Sequence, residues 1–260
     1  MLHCYGENSF TFLLFNQLER SGKVADELIA NLKHFTNGKQ FASLKKKEFA
    51  EIVKSEVPDV WLFPNFGKAS GFGEPDAIVL CGGYSFWFEI ETVFDLKKRT
   101  SSARTSLTQL LRFYYFAQAL NAGKKRRSKG KSHWALTGPT INGKGEVKDA
   151  VLRVAGHSAL QQIYEMLAES VENKRDHYVV FSERKMIGIS KPVDGKNALH
   201  AMFKGLTDEF HGLIRDSSGS ANAPEKPTVN RFWYSYYEGD LGSKVKINDS
   251  DVEYVRISTG

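Results

Sequence analysis

At 260 residues, 41% hydrophobic and 25% charged, with 18 Phe and 10 Tyr, the chain has material for one large α/β domain and is too apolar to be disordered as a whole. No apolar run reaches membrane-span length, and Phe10–Phe15 is too short and lacks a basic flank, so neither a membrane partner nor a signal peptide is expected. The net charge of +6 is mild in total, but it is concentrated in one zone that marks a polyanion as the expected partner.

Asn8 or Ser9 can cap the apolar run that follows, and Ser21-Gly22 ends it, which predicts a first helix over about Ser9 to Arg20. Helical spacing repeats over Val24 to Phe35, and more weakly over the lysine-rich Ser43 to Glu56. After Pro58 the texture changes to short aromatic and β-branched runs, read as strands at Val60–Phe63, Asp76–Leu80 and Phe86–Thr92. Gly82-Gly83 between the last two is a hairpin signal. Thr100 to Asn121 carries the strongest apolar stripe, through Leu107, Leu110, Leu111, Tyr114 and Ala117. A basic loop follows, then a strand at His133–Thr137, a helix over about Ala159–Val171 and a strand at His177–Phe181. Beyond Pro192 a helix is expected near Asn197–Leu206, then a small-polar loop at Ser217–Pro227 and an aromatic strand at Arg231–Tyr237. The order predicts α/β architecture: a mixed central sheet flanked by helices, in a single domain over 1–260 with its core at about 1–190 and a C-terminal elaboration at about 191–260.

Between Leu96 and Gly145 there are twelve Lys/Arg and no Asp or Glu, which leaves 24 basic against 30 acidic residues elsewhere. The zone includes Lys97, Lys98, Arg104, Arg112, Lys124, Lys125, Arg126 and Arg127, and it reads as a docking surface for nucleic acid. Cys4 and Cys81 have no CxxC or Cys/His spacing, so free thiols in a reducing cytoplasm are expected and a structural zinc is not. Gly138-Pro-Thr-Ile-Asn-Gly-Lys-Gly145 nearly matches a phosphate-binding loop, but Gly145 replaces the Ser/Thr that holds Mg²⁺, and a surface turn is expected. The run Phe232–Tyr237 is expected to pack a late strand, with base stacking as its alternative.

Chemistry concentrates in the segment from Gly73 to Thr92. Asp76 opens one strand and the glycine turn returns the chain antiparallel, so that Glu89 and Glu91, two apart, share one face of the next strand. Two carboxylates on neighbouring strands, with the Ile90 carbonyl between the glutamates, are hard oxygen ligands suited to Mg²⁺ or Mn²⁺. Phosphodiester hydrolysis needs such an ion to offset charge on phosphate and to supply hydroxide near neutral pH.

Pro75-Asp76 followed by Glu89-Ile90-Glu91 resembles the signature of the PD-(D/E)XK nuclease superfamily, with Glu91 standing where that family usually has lysine. Glu7, ahead of the first helix, looks like the family's first-helix glutamate. The long helix with Gln109 and Arg112 lies where the family places a helix that helps hold substrate phosphate. The resemblance covers about Glu7 to Thr137 and implies a restriction-endonuclease-like core with Mg²⁺-dependent endonuclease activity on DNA, RNA remaining open. Asp76, Glu89 and the Ile90 carbonyl would hold the ion, Glu91 would activate water or take a second ion, and Glu7 would support the site. Gln109, Arg112 and the lysines and arginines of the basic zone would contact phosphates. With Glu91 in place of lysine, Lys68 or Lys97 is the alternative source of positive charge. Two rival readings follow: a nucleic-acid-binding protein with a degenerate site, and an interaction protein whose basic zone meets an acidic partner. A homo-oligomer is left open.

Overall fold

A computed structural model of the chain describes residues 2–4, 7–55, 57–62, 64, 73–97, 102–127, 134–141, 146–154, 158–189, 197–219, 223–237, 244–247 and 250–254. The elements in the first half are β1 (Leu2–Cys4), α1 (Glu7–Arg20), a π-helix (Val24–Ile29), β2 (Lys33–His34), α2 (Phe41–Leu44), α3 (Lys46–Val53), β3 (Asp59–Leu62), β4 (Ala77–Cys81), β5 (Tyr84–Glu91) and α4 (Ser102–Arg127). There follow β6 (Trp134–Ile141), β7 (Val147–Val154), α5 (Ser158–Glu172), β8 (Asp176–Ser182), α6 (Ala198–Ser218), a 3₁₀ turn (Val229–Arg231), β9 (Phe232–Tyr236), β10 (Lys244–Ile247) and β11 (Ser250–Tyr254).

Six strands form the central sheet in the order β2-β9-β8-β5-β4-β3. β5, β8 and β9 run parallel, while β3, β4 and β2 attach antiparallel. The fold is therefore α/β with a mixed sheet flanked by helices, as the element order predicts. The link from β5 to the parallel β8 carries α4, the β6–β7 hairpin and α5, because a parallel partner needs a crossover that returns the chain to the same edge. β9 pairs with β8, so the C-terminal region completes the central sheet. β1, β11 and β10 form a separate sheet.

The period-2 alternation of strand side chains divides the interior into two layers. On one face Ile78, Leu80, Trp87, Tyr178 and Val180 meet the stripe of α4 and the apolar sides of α5 and α6. On the other, Val79, Phe86, Phe88, Ile90 and Trp233 meet α1, the π-helix and α3. The β4–β5 hairpin forms at the predicted glycines, whose φ values of 59° and 77° are those of a two-residue turn matched to strand twist.

Four expectations need correction. Val24–Phe35 is not one α-helix: it is the π-helix, followed by β2, an edge strand whose partner β9 lies near the other end of the chain. The helix expected at Asn197–Leu206 runs to Ser218, because its apolar face continues through Phe210 and Ile214. α4 extends past Asn121 to Arg127, so the backbone of Lys124–Arg127 is helix and not loop. Gly138–Ile141 is part of strand β6 and not a surface turn, and Gly138 lies where β6 closes on α4, a Cβ there standing a tight 3.2 Å from the Ala119 methyl. Phe232, Trp233 and Tyr234 are buried, so this part of the aromatic run packs the sheet and does not meet bases. Among the described residues no helix is long and apolar enough to cross a membrane. Cys81 is buried and free, its thiol donating to the Ile52 carbonyl at 3.4 Å.

Candidate active site

The candidate chemistry gathers where β4 begins beside the end of β5. The β4–β5 register ends with Ala77 opposite Phe88, and Asp76, one residue earlier, also turns its N–H to the Phe88 carbonyl. Odd-numbered residues of β5 turn their side chains toward α4: Trp87 lies in that core, and Glu91 Oε1 accepts a hydrogen bond from Ser106 Oγ of α4 at 2.5 Å. Ile78 and Leu80 of β4 face the same way. Glu89 and Glu91 therefore share the α4 face of the sheet, two residues apart on one strand, and Asp76 meets the same stretch of β5 from the start of β4.

Backbone polarity alternates along β5 in the same rhythm. Phe88 accepts from Asp76 N at 2.9 Å and Ile90 N donates to Asp76 Oδ2 at 2.7 Å, so the even residues address β4. Ser85 N donates to Arg175 O and Glu91 O accepts from Glu183 N, so the odd residues address β8. The Ile90 carbonyl, on the same side as its N–H, thus opens toward the start of β4. Pro75, just before Asp76, has no N–H to donate to the ladder. Asp76 closes the ladder with its side chain, which accepts the Ile90 N–H.

Helix α4 supplies the opposing wall. Arg112 Nη1 donates to Gln109 Oε1 at 2.5 Å, and burial pulls the guanidinium below its ordinary range while Glu89 and Glu74 oppose the shift. Glu74 Oε1 is buried with no hydrogen-bond partner among the described residues. Gly73 lets the Gly-Glu-Pro-Asp run approach α4: a Cβ on it would stand 3.0 Å from the Phe113 ring and 3.2 Å from Gln109 Oε1. Glu89 and Glu74 thus act on the Arg112 guanidinium, and with Asp76 and Glu91 nearby in the chain they leave a surplus of negative charge in half-buried places among the described residues.

No protein-family model, curated protein or solved structure matches the chain. What the site can do rests on its own geometry. Among the described residues no three His, Cys, Asp or Glu side chains are grouped so as to hold a metal ion. A divalent ion here would rest on Asp76, Glu89, the Ile90 carbonyl and water, a donor set of hard oxygens with few protein ligands that fits Mg²⁺.

The remaining sequence candidates are dispersed. Glu7 is the first residue of α1, whose Phe10 stacks on Phe181 and packs on the sheet face opposite α4; the Glu7 side chain lies outside the described residues. Arg104 is committed to Glu209 of α6 at 3.0 Å, and Lys124 to Glu172 of α5 at 3.2 Å. Lys97 is exposed. Lys98 and Lys68 lie outside the described residues, as do the side chains of Lys125, Arg126 and Arg127. Gln109 and Arg112 are bonded to each other, and Arg112 also feels Glu89 and Glu74. Glu74 and Ser106 join the site without having been singled out by motif. Their signal in the sequence is faint but present: an acid within the Gly-Glu-Pro-Asp run, and polar residues Ser106, Gln109 and Arg112 at helical spacing inside an apolar stripe.

Proposed function

We propose that the protein is a metal-dependent nuclease of the PD-(D/E)XK type acting on DNA, with Asp76, Glu89 and the Ile90 carbonyl as the seat of a Mg²⁺ or Mn²⁺ ion. The observation that carries this reading is the Asp76 carboxylate held on the Ile90 N–H, which sets it beside the strand segment that carries Glu89 and Glu91. Such an ion, when bound, would offset charge on the scissile phosphate and lower the pKa of a water. The chain's own residues have separate tasks. Asp76 closes the ladder through Oδ2, which fixes its carboxylate relative to the Ile90 carbonyl. Arg112, oriented by Gln109, supplies a fixed positive charge beside Glu89, which neither Lys68 nor Lys97 is needed to provide. Glu91, held by Ser106, is a carboxylate positioned to take a proton from water on the same face. Basic residues of the zone after Leu96 would meet the phosphate backbone.

Asp76→Asn keeps an acceptor for the Ile90 N–H while removing the charge, and Glu89→Ala removes the second carboxylate. Both variants are expected to fold, to keep most DNA binding and to lose Mg²⁺-dependent plasmid cleavage. Wild-type cleavage by either variant would remove this centre from the chemistry. A second reading, a nucleic-acid-binding protein without catalysis, is favoured by the ties of Glu91 to Ser106 and of Glu89 to Arg112. It predicts salt-sensitive DNA binding with no cleavage by the wild-type protein in either ion.

A further inference from the structure

On the sheet face opposite the carboxylates, a cavity of about 330 Å³ opens between α1, the π-helix and the ends of β8 and β9. Its apolar walls are Leu14 and Leu18 of α1, Leu28 of the π-helix and Phe181 of β8, all buried. Its polar rim includes Glu27, Asn31, Gln40 and Ser235.

Two independent features mark it as built. The first is the backbone. Over Val24–Ile29, where helical spacing in the sequence predicts ordinary α-helix, the chain forms a π-helix, and Ala30 N bonds to Ala25 O, five residues back, at 2.9 Å. π-Helical turns are uncommon and cluster at functional sites, and this one carries Glu27 and Leu28 to the cavity wall. The second is the balance of hydrogen-bonding groups. Asn31 spends Nδ2 on the Glu27 carbonyl at 2.9 Å, and its Oδ1 takes Gln40 Nε2 at 3.1 Å. The Lys33 ammonium, also at the wall, is turned onto the Tyr236 ring, 4.2 Å from its centroid. On the Glu27 side the rim then presents the Glu27 carboxylate as its one full negative charge, beside the Gln40 amide and the hydroxyls of Ser235, Tyr236 and Tyr237, which can donate or accept. Glu27 is steadied by Lys23 at 2.6 Å.

A cavity with apolar walls and a carboxylate at its rim calls for a ligand with apolar faces and a donor edge. We propose that it binds an amino-bearing nucleobase (cytosine, adenine or guanine), its exocyclic amine on Glu27 and its ring between the leucines and Phe181. The volume suits one nucleoside and not a duplex. Thymine and uracil present no exocyclic amine and are disfavoured. Such binding needs neither a metal ion nor cleavage at the other face, so it stands or falls apart from the nuclease reading. The base can come from a free nucleoside or from an unpaired position in a strand.

The test is calorimetric titration of the whole protein with cytidine, adenosine, guanosine, uridine and butylamine, and with oligo-dC and oligo-dT, at constant salt and without divalent ions. At least one amino-bearing nucleoside, or oligo-dC, is expected to bind about tenfold tighter than its amine-free counterpart and than butylamine. Glu27→Gln, at an exposed position that leaves the fold intact, is expected to remove about that factor by withdrawing a charge-assisted hydrogen bond. Oligo-dC binding that depends on Glu27 assigns the site to a base within a strand, and nucleoside binding alone assigns it to a free ligand. No binding by any amino-bearing partner, equal binding of uridine or butylamine, or binding indifferent to Glu27→Gln overturns the proposal.

Discussion

Glu91 is the residue on which the nuclease reading turns, because it stands where a lysine would be expected and its carboxylate is already engaged by Ser106. A glutamine there has the same shape and can still meet the Ser106 hydroxyl, so Glu91→Gln isolates charge and basicity from packing. If Glu91 takes a proton from water, cleavage of a plasmid in Mg²⁺ is expected to fall roughly 10²-fold or more in that variant. Glu91→Lys puts a second cation on a face that already holds Arg112, and an active enzyme is expected to lose activity through it. Full activity in Glu91→Gln would remove the role assigned to this side chain. A gain of activity in Glu91→Lys, from an inactive wild type, would establish the degenerate-site reading instead. Glu89 and Glu91 are legible in the sequence because a strand period of two fixes which residues share a face, whatever the rest of the fold does. The bond of Glu91 to Ser106 and the approach of Arg112 to Glu89 are not, since each partner sits on a separate element and only tertiary packing sets the rotation of α4 against β5.

At the scale of elements, α4 joins the candidate site to the basic zone. Its inner stripe is buried on the sheet, and its cations fall into two groups. Arg104 and Lys124 are paired to α6 and α5, half-exposed ion pairs worth at most about 1 kcal/mol each, and each pair is close to neutral as a whole. Arg126 and Arg127 lie on the last turn of the helix, where its backbone runs into the middle of the basic zone. Replacing both by alanine is therefore expected to flatten the slope of log affinity for duplex DNA against log salt by about 0.9 for each phosphate that the variant no longer neutralises. Replacing Arg104 and Lys124 is expected to change that slope less, and an equal or larger change would show that their ion pairs yield to DNA. An unchanged slope in the Arg126/Arg127 variant would take the end of α4 out of the nucleic-acid path. The same helix shows what sequence patterning conveys. Its stripe and the Gly82-Gly83 hairpin are readable because local periodicity and turn chemistry determine them. β2 and β7 are not, because a strand of two residues exists only by pairing with β9, and because the breakers Gly138-Pro139 sit inside β6, which has β7 as its sole partner among the described residues and can leave a missing N–H at an edge.

For the molecule as a whole, stability in acid follows from three groups in the core opposite α4. His177 is fully buried; it accepts from Trp233 Nε1 at 3.2 Å through Nδ1, and its Nε2 lies 3.5 Å from Glu48. Burial holds His177 below its ordinary pKa, and burial, aided by His200 and Lys45, holds His34 down at about 4. For Glu48, burial works upward, but hydrogen bonds with His177 and Lys45 outweigh it and lower the carboxyl to about 2. The signs are the same for all three. A histidine with a depressed folded pKa stays neutral while the unfolded chain takes up a proton, so folding is penalised as pH falls below about 6.5, and for His34 the penalty stops growing near pH 4. A carboxylate with a depressed folded pKa contributes stability above its unfolded value, lost as pH falls from about 4.5 toward 2. Stability measured by urea unfolding is thus expected to decline in two successive limbs, first between pH 6.5 and 4 and then below pH 4.5. His34→Phe keeps an aromatic ring against Trp233, which His34 meets edge-on at 5.0 Å between centroids, and it removes the titration. That variant is expected to flatten the upper limb by as much as about 1.4 kcal/mol per pH unit, the limit for one proton, while leaving the lower limb in place. If His34→Phe and the wild type decline in parallel between pH 6.5 and 4, His34 titrates as an exposed histidine would, and the upper limb belongs to His177 alone.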